Sequence, residues 1–521
     1  GERMMTHWSA TCDILVIGSG AGGMTAAYTA ARQGLDVILA EATDRFGGMS
    51  AYSGGGMWFP CNAALRRSGD DDTMEAARRY YRAVVSDRTP EALQDAYLRT
   101  GARLVDYLER DSRFRFMTYP WPDYYGAEPD ARAGGRHIVL ESFDAAEMGP
   151  LKDILRPALA EERRGAPPPA MMEGGQALIG RFLLALSDMP NVSLRRDSEM
   201  VELILDGGRI AGAVLRGPQG EQRIATRGGV VIAAGGFERN AALRAHHGVP
   251  GDVKGSMAPP GNKGHALEAA IAIGADIDLM DQGWWSPGLV QPDGTASFTL
   301  GFDGGIFVDQ TGARFVRETL PYDRAGRVII DRVQKGQLTL PFWLVYDDRD
   351  GGMPPIQFPN LPFDEPARYR EAGAWRSAPS LPALAEVIGV PADALVATVE
   401  RYNGFCERGE DPDFQRGAEP YERMFTGGEA PMAPIVRAPF HSAAFGLSDL
   451  GTKGGLKTDP DARVLDQQGQ PIGGLYAAGN SMAAVSGMTY PGGGNPVGSS
   501  MVFGHLAARD IAVAAGRWDE A

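Results

Sequence analysis

The sequence predicts an α/β protein in which a parallel-sheet domain is interrupted by an inserted α+β unit. Three observations predict it. Within residues 12–41 an apolar run, a glycine turn, an alanine-rich stretch and a second apolar run follow one another. From about 286 to 450 the texture changes, with proline and aromatic residues frequent. After 451 short strand-like runs and turns return, ahead of a last helical stretch at about 495–515. A chain of 521 residues is too long for one ordinary core. The expected division is therefore a first domain over 1–285, an inserted catalytic or substrate unit over 286–450, and the resumed first domain over 451–521.

Each element has a local reason. "CDILVIG" (12–18) is a short apolar strand stopped by glycine, and "AAYTAARQG" (26–34) reads as a buried helix ending at Gly34. "LDVILAE" (35–41) is the next strand. Strand, turn, helix and strand make a βαβ unit, which requires a parallel sheet and a right-handed crossover. "SLRRDSEMVELILDGGRIAGAVLRG" (193–217) reads as a β-meander with a hairpin turn at "DGG", and "RGGVVIAAGGF" (227–237) as another strand stopped by glycines. In the inserted unit, "LAEVIGVPADALVATVERYNGFCERG" (384–409) is helix-like among proline-rich segments.

Composition excludes several classes. A formal charge of -15 repels phosphate backbones, and no basic stripe is interleaved with aromatics, so nucleic acid is not an expected partner. Cys12, Cys61 and Cys406 show neither a CxxC spacing nor the density of a disulfide framework, and read as reduced, buried thiols. The seven histidines form no HExxH-type pair, so no metal site is expected. No apolar run reaches membrane-spanning length, and "GERMMTHWSATCD" lacks the build of a signal peptide. Gly1 to Arg3, ahead of a methionine pair, are set aside as a tag remnant. A cytoplasmic protein is expected, with peripheral membrane association left open.

The string "GSGAGG" carries the first chemistry. Gly18 permits the tight turn, Gly20 lets the backbone approach a pyrophosphate, and Gly23 allows close helix-to-strand packing. The helix N-terminus beginning near Ala21 faces the phosphates with free amides and the positive end of its dipole. Glu41, at the end of the second strand, is placed to accept from a ribose hydroxyl pair. Glycines alone are ambiguous, because helix packing also selects them. The order of strand, turn, helix, strand and acid makes this a Rossmann-type dinucleotide site.

Two further segments narrow the cofactor. "RFGGMSAYSGGG" (45–56) and "GGLYAAGN" (473–480) resemble flavin-proximal segments of FAD enzymes related to the flavoprotein subunit of fumarate reductase and succinate dehydrogenase. The resemblance spans nearly the whole chain and implies FAD. It places Gly48, Met49, Ser50, Ser53, Gly54, Gly55, Ala234, Gly235, Gly479, Asn480, Pro496 and Val497 beside the cofactor. No histidine stands in "FGGMSAYSGG", so a covalent flavin is not indicated. "LGTKGGLKTD" (450–459) lacks the histidine that fumarate reductases carry ahead of their glycine pair, which argues against a dicarboxylate substrate.

Three tyrosine motifs go further. "MTYPGGGNPVG" (488–498) reads by itself as a surface loop, since glycine is common wherever a chain turns. It also resembles the "TYPGPG" element of the 3-ketosteroid Δ1-dehydrogenases, with Tyr490 and Gly494 in the family's spacing and glycine in place of proline. "RFVRETLPYDRAGR" (314–327) resembles the segment bearing that family's catalytic tyrosine, which implies Tyr322. "YPWPDYYGAEPDARAGGRHI" (119–138) resembles a segment ending in Gly-Arg, whose tyrosine is Tyr124, with Tyr125 the competing choice. For any one of them a packed core aromatic is the plainer reading. Three in family order favour chemistry.

The implied reaction introduces a double bond α,β to a ring ketone. A ketone α-proton is weakly acidic, so fixed donors must stabilise the developing enolate oxygen. The Tyr490 hydroxyl and the Gly494 amide would form that pair. Tyr322 would take the proton as a phenolate, favoured by a hydrogen bond from Tyr124, and an alkaline optimum is expected because free tyrosine ionises near pH 10. The expected partners are a cyclic ketone, first a 3-ketosteroid, and an external electron acceptor such as a quinone. A smaller alicyclic ketone of the substituted cyclohexanone type, and an ene-reductase running in reverse, remain alternatives. A flavin-binding protein without turnover is the reading from another class.

Overall fold

The computed structural model describes residues 7–520, so Gly1 to Arg3 lie outside the described residues. Strands β1 (Ala10–Ile17) and β2 (Val37–Ala40) are parallel neighbours, with Ile14 opposite Val37 and Ile17 opposite Ala40. Both are covered on both faces, which is why their sequences are unbroken apolar runs and not alternating ones. Helix α1 (Ala21–Arg32) crosses between them, buried from Ala21 to Ala31. Only small residues let a helix lie that close to a sheet.

The next strands correct one expectation. Segment 193–217 is not a meander throughout: β3 (Val192–Arg195) joins the parallel sheet beside β2, and the antiparallel hairpin begins only with β4 (Glu199–Asp206) and β5 (Arg209–Gly217). Gly207 and Gly208, both at positive φ, make its turn. Strand β6 (Gly220–Ile232) then pairs antiparallel with β5 and parallel with β1. It is longer than the apolar run "VVI" signals, because its first half is a half-exposed polar strand.

A second sheet is built from β7 (Gly283–Val290), β8 (Ala296–Phe302), β9 (Ile306–Val308), β10 (Phe342–Tyr346), β11 (Ile356–Pro359), β12 (Trp375–Ala378) and β13 (Phe440–Thr452). Its order is β9-β10-β13-β7-β8-β11, with β12 also on β13. Helix α2 (Tyr322–Gln334) lies on β7, so close that a Cβ on Gly326 would stand 2.5 Å from that of Trp285. The single helix-like stretch at 384–409 is two helices, Leu381–Ile388 and Ala392–Arg408, separated by Gly389 at φ +75° and by Pro391.

The chain then returns to the first sheet. β14 (Arg463–Leu465) and β15 (Pro471–Ala477) add beyond β6, giving the order β14-β15-β6-β1-β2-β3, and helix α3 (Asn495–Ala514) packs along α1. A smaller sheet joins Met57–Trp58, His137–Leu140 and Phe116–Thr118. The three cysteines are free; Cys12 is buried, whereas Cys61 and Cys406 are half-buried. Among the described residues no helix is long and apolar enough to cross a membrane, and no cluster of ligating side chains could hold a metal.

The α1–α3 contact is backbone against backbone. A Cβ on Gly504 would stand 2.3 Å from the Gly22 carbonyl oxygen. Gly504→Ala should therefore force the helices apart and lower stability by about 1–3 kcal/mol, the usual scale of overpacking, as read by denaturant unfolding.

Candidate active site

One cavity of about 860 Å³ runs from the α1 N-terminus to the second sheet. At its β1 end Gly18 adopts φ +100°, and a Cβ there would strike the Ala233 carbonyl oxygen at 1.9 Å, so the turn admits glycine alone. Gly23 is not on the cavity. It packs against the Gly18 carbonyl, where a Cβ would stand 1.9 Å from the oxygen, which is the helix-to-strand role its spacing predicts. Gly20 differs: a Cβ there would meet only the Ser50 hydroxyl at 3.2 Å and the Gly47 carbonyl at 3.8 Å. The protein itself leaves room at Gly20, and that room belongs to the cavity.

The remaining residues expected near the cofactor gather on this one surface. Ala21 and Glu41 line it at the α1 end, and Gly48, Met49, Ser50, Ser53, Gly54 and Gly55 form a wall, with Ser50 Oγ accepting from the Ala21 amide at 2.9 Å. Ala234 and Gly235 continue it past β6, and Gly479, Asn480, Pro496 and Val497 close the far side. The Glu41 carboxylate is buried; it accepts from Ser19 Oγ and from the amide and hydroxyl of Thr43, both at 2.9 Å. A carboxylate has about four acceptor positions, so these bonds orient it without exhausting it. Free helix-terminal amides, an oriented acid and a glycine-cleared surface fit a dinucleotide.

At the other end the three predicted tyrosines meet. Tyr124, Tyr322 and Tyr490 are buried and form a near-equilateral triangle, with ring centroids 5.2 Å (124–322), 5.2 Å (124–490) and 5.3 Å (322–490) apart. Tyr124 and Tyr322 share a hydrogen bond of 2.6 Å. Trp121 Nε1 donates to Tyr124 Oη at 2.8 Å. An indole N–H only donates, so Tyr124 accepts from Trp121 and has its own proton to give to Tyr322. Tyr125 points elsewhere: it is off the cavity lining, beneath the Arg324 guanidinium, and its amide donates to the Tyr80 hydroxyl. The geometry puts Tyr124, not Tyr125, against Tyr322.

Burial sets the titration of these phenols. It pushes Tyr124 and Tyr322 well above the ordinary tyrosine range, and raises Tyr490 too. Removal from water disfavours the ionised form of Tyr322, and a donor must offset that.

The stretch 488–498 is not a surface loop. The Pro491 carbonyl accepts from Tyr80 Oη at 2.6 Å and from the Tyr124 amide at 3.0 Å. A Cβ on Gly492 would stand 2.4 Å from Trp58 Nε1, and one on Gly493 2.6 Å from Trp121. Gly494, at φ +88°, is the N-cap of α3, and a Cβ there would stand 2.6 Å from the Gly56 backbone. Its amide therefore sits at the N-terminus of a long helix, where partial positive charge accumulates. Segment 119–138 is anchored separately. Arg136, with no exposed surface, bonds Asp72 at 2.7 Å and Asp123 at 2.5 Å, and Asp123 also accepts from Trp58 Nε1.

Sequence reasoning missed Trp121, Ser19 and the apolar wall of Met257, Phe298 and Leu300 on the lining, and Trp284 beside Tyr490. It also missed His137 on the lining, which burial pushes down to about 4, so that it is neutral. Ser19, Trp121 and His137 fall inside motif stretches that single out their neighbours, and the others carry no motif. Their places follow only from which distant loops come together.

A family model described as an FAD binding domain matches residues 13–497. A 3-oxosteroid 1-dehydrogenase of Mycolicibacterium smegmatis is 34% identical, over 96% of this chain and 97% of that protein. The chain belongs to the FAD-dependent family that contains the 3-oxosteroid 1-dehydrogenases. FAD is its cofactor, and it is an oxidoreductase acting on CH–CH bonds. Within this family it is also 34% identical to a 4-oxocyclohexanecarboxylate 2-dehydrogenase of Sinomonas cyclohexanicum, over 98% of this chain and 94% of that one. A crystal structure of a 3-ketosteroid Δ1-dehydrogenase from Sterolibacterium denitrificans, in complex with 1,4-androstadiene-3,17-dione, superposes with a TM-score of 0.88. Its identity is 31%, with 97% of this chain and all of that one covered.

The room at Gly20 gives a test specific to the cofactor. Gly20→Val should fold, with near-native thermal unfolding of the apoprotein, yet fail to retain FAD, because the added side chain enters pyrophosphate space and not protein. Stoichiometric FAD in the purified variant, read by absorbance after denaturation, would place the cofactor elsewhere.

Proposed function

We propose that the chain desaturates a 3-ketosteroid between carbons 1 and 2. The observation that carries this reading is the tyrosine triangle beside the Gly494 amide, at one end of an apolar cavity. Tyr490 Oη and the Gly494 N–H hold the carbonyl oxygen and strengthen their bonds as it becomes an enolate. Tyr322 Oη takes the proton from carbon 2, and the Tyr124 hydroxyl, 2.6 Å away, would donate to the phenolate that burial disfavours. Bound FAD supplies the acceptor for the hydride leaving carbon 1. Loss of one proton and one hydride leaves the new double bond.

The wall favours an apolar polycycle over a small keto acid. Met49, Met257, Phe298, Leu300 and Leu450 line it. Among the described residues on the lining, Arg156 is the one arginine or lysine, and it is committed to Glu162 and Thr43 at 2.7 Å each. A carboxylated cyclohexanone would find no free cation there. An external acceptor, a quinone or similar molecule, would then reoxidise the flavin of a cytoplasmic enzyme. The convergence of the motif-bearing tyrosines and Gly494 on one cavity supports those roles.

Anaerobic mixing tests the substrate. A saturated-ring-A 3-ketosteroid should bleach the flavin absorbance, and 4-oxocyclohexanecarboxylate should not; the reverse result would make the smaller ketone the substrate. Tyr322→Phe should lower kcat by about 10²-fold or more, the scale of a general base, with FAD retained. Tyr490→Phe should lower it by roughly 10²–10³-fold with a smaller change in KM, because a neutral carbonyl needs that donor less than the enolate does.

The pH profile tests the third tyrosine. Since burial raises Tyr322, kcat/KM should climb about tenfold per pH unit through the neutral range toward an alkaline maximum. Tyr124→Phe removes the donor to the phenolate and should move that rising limb to higher pH, whereas an unmoved limb would leave Tyr124 a packing residue.

A further inference from the structure

Lys453 lies in the segment "LGTKGGLKTD" that departs from the fumarate reductase pattern, and it has no exposed surface. A lysine is almost never buried without a compensating partner. Its Nζ donates to the Thr489 carbonyl at 2.6 Å, and stands 4.2 Å from the ring centroid of Trp284. Thr489 is the residue immediately before Tyr490. Trp284 meets the Tyr490 ring edge-on at 4.9 Å and donates through Nε1 to Asn480 Oδ1 at 3.0 Å. Asn480 is on the cavity lining. One nitrogen thus touches both supports of the Tyr490 phenol: the backbone that leads into it and the indole on which it rests.

The main chain of Lys453 ties the same region together. Its amide donates to the Gln282 carbonyl at 2.9 Å, and its carbonyl accepts from the Ala484 amide at 3.1 Å. The residue joins the end of β13, the strand entry at 282–284 and the 484–490 loop. The side chain is not needed for those backbone bonds, so its burial needs another reason. Burial pushes the Lys453 amine well below the ordinary lysine range, and Asp323 and Arg327 act on it at longer range with opposite signs; its direct contacts are Thr489 and Trp284.

We propose that Lys453 is a positioning residue for the oxyanion hole: its amine N–H fixes Thr489 and Trp284 so that the Tyr490 hydroxyl points at the developing enolate oxygen. This rests on the reading of Tyr490 given above. The role is distinct from substrate binding, because the Lys453 side chain does not line the cavity. It acts only through Tyr490, so its loss must be felt in the step where Tyr490 matters.

A double-mutant cycle on the FAD-loaded enzyme with a 3-ketosteroid tests this. Lys453→Met keeps the length and apolar stem and removes the donor. It should lower kcat by about tenfold or more, since a displacement near 1 Å can cost roughly 10²-fold. KM should stay within about threefold, because the interaction lost is one made mainly in the transition state. Exchange of the ketone α-deuterons with solvent should slow in parallel. In the Tyr490→Phe background, Lys453→Met should change kcat by less than about twofold, because residues acting as a unit are not additive. Additive losses, or an unchanged kcat in Lys453→Met, would overturn the proposal while leaving Tyr490 in place. A silent Tyr490→Phe would instead remove the oxyanion reading on which it stands. Lys453→Gln, which keeps an N–H donor, guards against misfolding; loss of FAD from both Lys453 variants would make the residue a folding element and overturn the proposal.

Discussion

Three phenols held about 5 Å apart in apolar surroundings are the constraint around which this chain is arranged. Each hydroxyl is removed from water, so each must find a partner in the protein or in a bound molecule. The phenols arrive on segments that the sequence separates by 198 and 168 positions. Bringing them together requires each segment to be anchored independently. Arg136, clamped by Asp72 and Asp123, holds the first; α2, seated against β7, holds the second; and the glycine loop, packed on Trp58 and Trp121, holds the third. Anchoring by different means lets the triangle stay fixed although no single element carries it.

The same arrangement places two helix N-termini on one cavity. α1 begins at Ala21, beside the glycine turn, and α3 begins at Asn495, just after Gly494. The two helices touch through Gly22 and Gly504, where any larger residue would separate them. Partial positive charge is therefore focused at two places, and the proposed chemistry needs negative charge to be held at two: the pyrophosphate of FAD and the enolate oxygen. The close contact of the helices is what fixes the spacing between those places.

Much of this was legible in the sequence, and the limits have physical causes. The βαβ unit, the turn at Gly18 and the packing at Gly23 could be read because a parallel strand buried on both faces leaves an unbroken apolar run, and because a tight turn and a close helix-to-strand contact admit few residues. The strand at 192–195 was misread as part of a meander, since four residues carry no record of which edge they join. The loop at 488–498 was legible only through its resemblance. Its glycines are required by Trp58, Trp121 and the Gly56 backbone, and nothing local to "PGGG" reveals those neighbours. Trp121, Trp284 and Lys453 could not be found for the same reason: their partners lie between 3 and 196 positions away, and the fold alone brings them into contact.

Burial raises all three phenols, but the same shift has opposite consequences for the roles proposed for Tyr490 and Tyr322. Raising the pKa of Tyr490 helps an oxyanion donor, since it keeps the proton that the donor must offer at alkaline pH. Raising the pKa of Tyr322 hinders a base, since it must shed its proton before accepting another. Correction is needed at one residue only, and the close hydroxyl contact at 2.6 Å joins Tyr124 to Tyr322. Trp121, a pure donor, takes none of Tyr124's donor capacity, so Tyr124 keeps a proton to offer there. On the proposed roles, the chain from indole to phenol to phenol would offset at Tyr322 what burial removes and leave Tyr490 protonated in the same apolar pocket. Two identical side chains 5.3 Å apart would thereby serve as an acid and a base.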